Sequence, residues 1–249
     1  VRIDSGANAA AVGPPDVAVS ADGSAIAVWP AYDFESQATT VYTSRYVAAS
    51  GWSAPQRLES AAGTALSPRI AMDADGNGAV LWLKGDDGQY RVLGASYRAG
   101  TGWTDPVELN GGNTVGAGHA RIAMGANGNA IAVWVRFNSE TLRGSAAAAR
   151  FTLANGWSAA PTELISPSKG YVAGVNVAIN ATGSAFVSMD HVAAGSNAFS
   201  TRAARFTPAG GWEVPSVVTE GRLFSDVAVD ADGNGTVVFT SSSLGARRY

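Results

Sequence analysis

A repeat of about fifty residues constrains this chain more than any other feature. Ala21-Asp22-Gly23 leads into the apolar run Ala25-Ile26-Ala27-Val28-Trp29. The turn and run return at Ala74-Asp75-Gly76 through Trp82, Ala126-Asn127-Gly128 through Trp134, Ala181-Thr182-Gly183 through Met189 and Ala231-Asp232-Gly233 through Phe239. The turn glycines are 53, 52, 55 and 50 residues apart. A Gly-Trp pair recurs at Trp52, Trp103, Trp157 and Trp212, each with an aromatic six residues earlier: Tyr46, Tyr97, Phe151 and Phe206. Periods of this length mark propellers and other arrays, in which no single unit buries its own apolar face.

Each repeat reads as four short strands. Strand A is Asp16–Ser20, matched by Arg69–Asp73, Arg121–Gly125, Asn176–Asn180 and Asp226–Asp230. Asp-Gly or Asn-Gly then turns the chain tightly into strand B. Strand C ends at the recurring aromatic, and the Gly-Trp turn leads to strand D, as in Pro55–Glu59. Glycine, proline and β-branched residues interrupt every window long enough for a helix.

The expected fold is therefore all-β: a single five-bladed β-propeller with four antiparallel strands per blade. The blades span about 14–60, 67–110, 119–165, 174–219, and 224–249 plus 1–5. Val1-Arg2-Ile3-Asp4-Ser5 matches strand D at Gln56–Ser60, and Ala246-Arg247-Arg248-Tyr249 matches the end of strand C. The N-terminal strand is expected to pair with the last blade and shut the ring, which removes open sheet edges.

The runs Ala-Ile-Ala-Val-Trp, Arg-Tyr and Gly-Trp-Ser-Ala-Pro resemble a repeat common in exported proteins of Gram-negative bacteria, a family for which this resemblance implies no settled function. The repeat geometry is loosely similar to propeller lectins, including five-bladed tachylectin-like and six-bladed fucose-binding kinds, and there the resemblance is architectural only. A secreted, periplasmic or cell-surface location is expected. The chain has no cysteine and starts at Val1.

Charged residues make up 15% of the chain, against roughly a quarter in an average domain, and the net charge is -3. No basic cluster offers a nucleic-acid footprint. No apolar run approaches the ~20 residues of a membrane span. A monomer without cofactor or metal is expected. Asp73–Gly78 and Asp230–Gly235 resemble the start of a calcium loop, but Lys84 and Ser241 stand where the twelfth-position acid belongs, so both read as hairpin turns.

The strand B series Trp29, Trp82, Trp134, Met189, Phe239 reads as a buried contact between blades, since any large apolar residue serves. The alanines Ala18, Ala71, Ala123, Ala178 and Ala228 read as a packing device among crowded inner strands. Function is expected at the opposite end from the tight turns, where dissimilar loops lie: Pro30–Gln37, Leu83–Gln89, Asn110–Gly118, Phe137–Gly144, Ser166–Gly174 and Asp190–Asn197.

Asp16, Arg69, Arg121, Asn176 and Asp226 begin the inner strands at that end and ring the channel mouth. They suit a carbohydrate or other polar small molecule, or else cap the channel as ion pairs. His119, Asp190 and His191 map to the same end, where a His/Asp pair would serve acid–base chemistry or a metal. No nucleophile elbow, zinc-protease or phosphate-loop motif occurs. Acids for glycan cleavage would come from Asp16, Asp33, Glu35, Asp190 and Asp226, with no two singled out. The three readings are a recognition module, which the residues favour over an enzyme, then a glycan-active hydrolase or lyase, and a structural interaction domain.

Overall fold

The computed structural model describes all residues except 5–7, 61, 87–88, 111–115, 139–142, 167–169, 197, 222–223 and 241–243. Parts of the expected loops, with Ser5 and Ser241, lie outside the described residues. Among those described there are 24 strands and no helix, hence none long and apolar enough to cross a membrane.

The strands fall into antiparallel units that follow the repeat. β1 (Ala9–Ala11) precedes the first unit: β2 (Asp16–Val19), β3 (Ala25–Asp33), β4 (Ala38–Val47), β5 (Gly51–Trp52) and β6 (Gln56–Arg57). The second holds β7 (Thr64–Met72), β8 (Gly78–Asp86), β9 (Gln89–Arg98), β10 (Gly102–Trp103) and β11 (Val107–Glu108). The third holds β12 (Gly116–Met124), β13 (Ala130–Asn138), β14 (Arg143–Thr152), β15 (Gly156–Trp157) and β16 (Thr162–Ile165). The fourth holds β17 (Gly170–Ile179), β18 (Ala185–Ala193), β19 (Phe199–Thr207), β20 (Gly211–Trp212) and β21 (Ser216–Glu220). The last has β22 (Ser225–Val229), β23 (Gly235–Thr240) and β24 (Leu244–Arg248). A single parallel bridge, Thr39 to Thr64, joins the first two units into one 11-stranded sheet.

Each hairpin is fixed locally. The Asp73 carboxylate accepts the amides of Asp75 and Asn77 and the Asn77 side chain, and Asp230 does the same with Asp232 and Asn234. These acids thus serve their own turns. The aromatic and tryptophan of each Gly-Trp hairpin lie opposite each other, with ring centroids 5.2–5.5 Å apart. That is the close contact expected of an aromatic cross-strand pair.

The core lies between units. Trp82 is fully buried with Ile26, Val28, Val41 and Leu58 of the unit before it. Trp134 sits likewise with Leu81, Leu83 and Leu109, and Met189 with Val133, Val135 and Leu164. The residue that opens strand B must be small, because the preceding unit's side chain reaches over it. A Cβ at Gly235 would come within 2.5 Å of the Phe186 ring, and one at Gly78 within 3.4 Å of Ile26. Ala18 packs against the cluster holding Ile70 and Met72. Lys84 and Glu59 add a buried ion pair at 2.9 Å, and the Lys84 ammonium also donates to the carbonyls of Thr39 and Gly63.

Three expectations change. Strand A is longer than the repeat suggests: β7, β12 and β17 begin at Thr64, Gly116 and Gly170, ahead of a bulge. In the first unit Pro14 and Pro15 fall at the corresponding break, between β1 and β2, and β1 pairs separately with β3. Much of the expected loop sequence is strand as well, since β3 runs to Asp33 and β8 to Asp86. Residues 1–4 belong to no strand. Ile3 instead packs against the cluster of Trp29 and Tyr42, the place Leu58 takes beside Trp82.

We expect Gly235→Ala to destabilise the protein by about 1–3 kcal/mol, the range for overpacking a core. Chemical denaturation of the variant checks this, and a midpoint equal to the parent's would rule out the tight approach of Phe186.

Candidate functional site

Asp16 and Asp226 lie at or beside the starts of β2 and β22. Arg69, Arg121 and Asn176 lie inside β7, β12 and β17 just past the bulge, so these three, contrary to expectation, do not begin their strands. Two of them tie one inner strand to the next. Asp16 accepts the amide of Ile70 at 3.1 Å, and the Asn176 side chain donates to the Ser225 carbonyl at 2.5 Å. Burial lowers the pKa of the Arg121 guanidinium, Arg69 lowers it further, and Asp16 and Asp226 oppose both. Charges from the first, second and last units therefore act on one half-buried cation of the third.

Among the described residues these charges form no ion pair within 4 Å. Arg69 and Arg121 donate to the carbonyls of Pro68 and Ala120, the residues just before them. Asp16 and Asp226 accept the amides of the residues just after them. The expected alternative, a cap of salt bridges, is not what forms, because each head group is engaged by nearby backbone.

His119 is exposed at the β12 bulge with φ +48, the same strained backbone as Ser67 (φ +49) at the β7 bulge. Such strain is seen where surrounding structure holds it in place. Phe224 stands at the corresponding point of the last unit and is 78% exposed. Tyr32, Phe34, Phe137 and Tyr171 are also exposed toward this end. The sequence reading passed over these aromatics because they lie outside the repeating positions.

Asp190 and His191 do not act as a pair. Successive strand residues face opposite ways, and the surroundings of β18 follow that rule. Met189, on the side of His191, packs with the third unit. Ser188 and Asp190 meet Ser225 of the last unit, whose hydroxyl donates to Asp190 at 2.8 Å. His191 is buried, so it does not reach the mouth. Burial raises the Asp190 pKa, against hydrogen bonds from Ser225, from the backbone of Phe224 and Ser225, and from Thr201.

Asp33 is also structural. It accepts Ser36, Glu35 and the Tyr42 hydroxyl and lies 3.3 Å from Arg57. The Ser36 amide, then Tyr42, hold its carboxyl well below the usual range, and burial with Asp33 nearby pushes Tyr42 up to about 12.

No protein-family model matches the chain, and no curated protein matches it. Solved structures do. An α-L-arabinanase of Penicillium chrysogenum complexed with arabinobiose aligns with a TM-score of 0.59 at 12% identity, covering 96% of this chain and 78% of that one. An ulvan lyase bound to -[GlcA(1-4)Rha3S]- aligns at 0.65 and 12%, covering 95% and 66%. A Dyadobacter fermentans protein of unknown function aligns at 0.58 and 14%, covering 99% and 80%. With units packed each against the next, these likenesses place the chain among all-β proteins of the β-propeller class.

Because its folded pKa is raised, Asp190 contributes stability that is complete below about pH 4, the ordinary carboxylate value, and is lost as pH rises through the folded value. Relative to Asp190→Asn, the parent should therefore lose ground as the pH rises above about 4. Thermal unfolding of both at each pH checks this, and a constant difference would discount the burial effect.

Proposed function

We propose that this protein is an exported recognition module whose loop-rich mouth binds a carbohydrate or similarly polar ligand. One observation carries the reading: Arg121 is half-buried amid Arg69, Asp16 and Asp226 without an ion pair. Both signs of charge, an amide and a fringe of exposed aromatics meet the needs of a sugar, which offers hydroxyls at its edge and an apolar face. The solved relatives in fold include one bound to arabinobiose and one bound to a uronate-containing saccharide, which favours a glycan as the ligand class.

Arg121→Ala and Asp226→Asn should each abolish binding while leaving the thermal midpoint near the parent's. Glycan-array screening followed by titration calorimetry reads this, and unchanged affinity in both variants would remove the mouth as the site. A glycan-cleaving enzyme is the second reading, favoured by the raised pKa of Asp190. Release of reducing ends from a polysaccharide panel would select it over simple binding.

The proposal includes a closed ring of five blades, with residues 1–4 pairing β24 as the fourth strand of the last blade. Ile3 beside Trp29 supports it, as does the shared field of Asp16 and Asp226 at Arg121. Deleting residues 1–4 should speed hydrogen exchange in Leu244–Arg248. Equal exchange with and without them would open the ring.

A further inference from the structure

A wedge-shaped cleft opens between the first two units at their tight-turn ends, away from the mouth, and its counterpart recurs between the second and third. The first has a volume of about 360 Å³ and the second about 380 Å³. In both, one wall is the Gly-Trp turn of the later unit, Gly102-Trp103 or Gly156-Trp157. In both, the other wall carries the hydroxyl residue after the earlier unit's tryptophan, Ser53 or Thr104, which receives a strand amide. The recurrence has a physical cause: a Gly-Trp turn and a hydroxyl residue at matching places in the repeat line the gap at both junctions.

The two clefts differ in charge. The first contains Arg45, whose guanidinium lies 5.6 Å over the Tyr97 ring of the next unit. The Arg45 Nε is buried and has no hydrogen-bond partner. No carboxylate lines this cleft, and Asp22, which feels the Arg45 charge, forms no ion pair with it. Ser50, Ser53 and Gln56 supply neutral polar groups around the entrance. The second cleft has Ser96 at the place of Arg45 and adds Asp105 and Glu108.

We infer that the first cleft is a second binding site, independent of the mouth, and that it takes an acidic saccharide residue such as a uronate. Arg45 supplies a charge-assisted hydrogen bond to the carboxylate, and the half-buried Trp103 and Tyr97 supply an aromatic wall for the sugar's apolar face. The second cleft, built on the same frame with two acids and no guanidinium, repels that ligand.

The test titrates the full chain with a glucuronic-acid oligosaccharide and with a neutral gluco-oligosaccharide of equal length, following the Trp103 indole N–H by NMR. The acidic probe should shift Trp103 and leave Trp157 in place, and the neutral one should bind at least tenfold more weakly. Gln56→Glu alters an exposed residue and puts a repelling carboxylate at the entrance, so it should weaken the acidic probe at least tenfold with no change in thermal midpoint. Arg45→Gln should do the same to binding, and Arg121→Ala should leave this site intact. Equal affinity for both probes, an unchanged response in Gln56→Glu, or loss of the Trp103 shift in Arg121→Ala would each overturn the inference.

Discussion

The structure rests on the burial of one unit's strand B against the outer strands of the unit before it. Trp82 is enclosed jointly by Leu58 and Val41 of the first unit and by Ile70 and Val80 of its own, and Trp134 is covered in the same way by Leu109 of the unit before it. Apolar burial contributes about 25 cal/mol for each Å² removed from water, so a fully enclosed tryptophan dominates its junction. Each unit is thereby both a lid for the next and a floor for the last, and stability is a property of the series.

That dependence makes the two ends of the series special. Val17 and Val19 on β2 are exposed, while Ile70 and Met72, at the same places on β7, pack with Ala18 of the preceding unit. Ala228, the counterpart of Ala18 on β22, is exposed as well. Ile3 already covers part of the first unit's outer face beside Trp29.

The same geometry organises the chemistry. Asp16, Arg69 and Asp226 act on Arg121 even though the four residues come from four different units. Outer strands diverge, so clefts lined by neighbouring units open near the Gly-Trp turns. In both places an arginine feels an acid without pairing to it, Arg121 the Asp16 and Asp226 of other units, and Arg45 the Asp22 of its own.

Much of this was legible in the residues. A strand has period two and a tight turn has strict residue demands, so the hairpin strands, the burial of Trp29, Trp82, Trp134 and Met189, and the Tyr46–Trp52 type of pair follow from local pattern alone. The pairing of Asp190 with His191 failed because adjacency in a strand sends side chains apart. The bulges at Ser67 and His119 escaped notice because the backbone there is held by neighbouring strands. Whether Arg69 and Arg121 meet carboxylates, which way Asp190 is desolvated and where a cleft remains all depend on distances between units. Those distances arise from packing across the whole series, and no fifty-residue stretch encodes them; only the tertiary structure decided them.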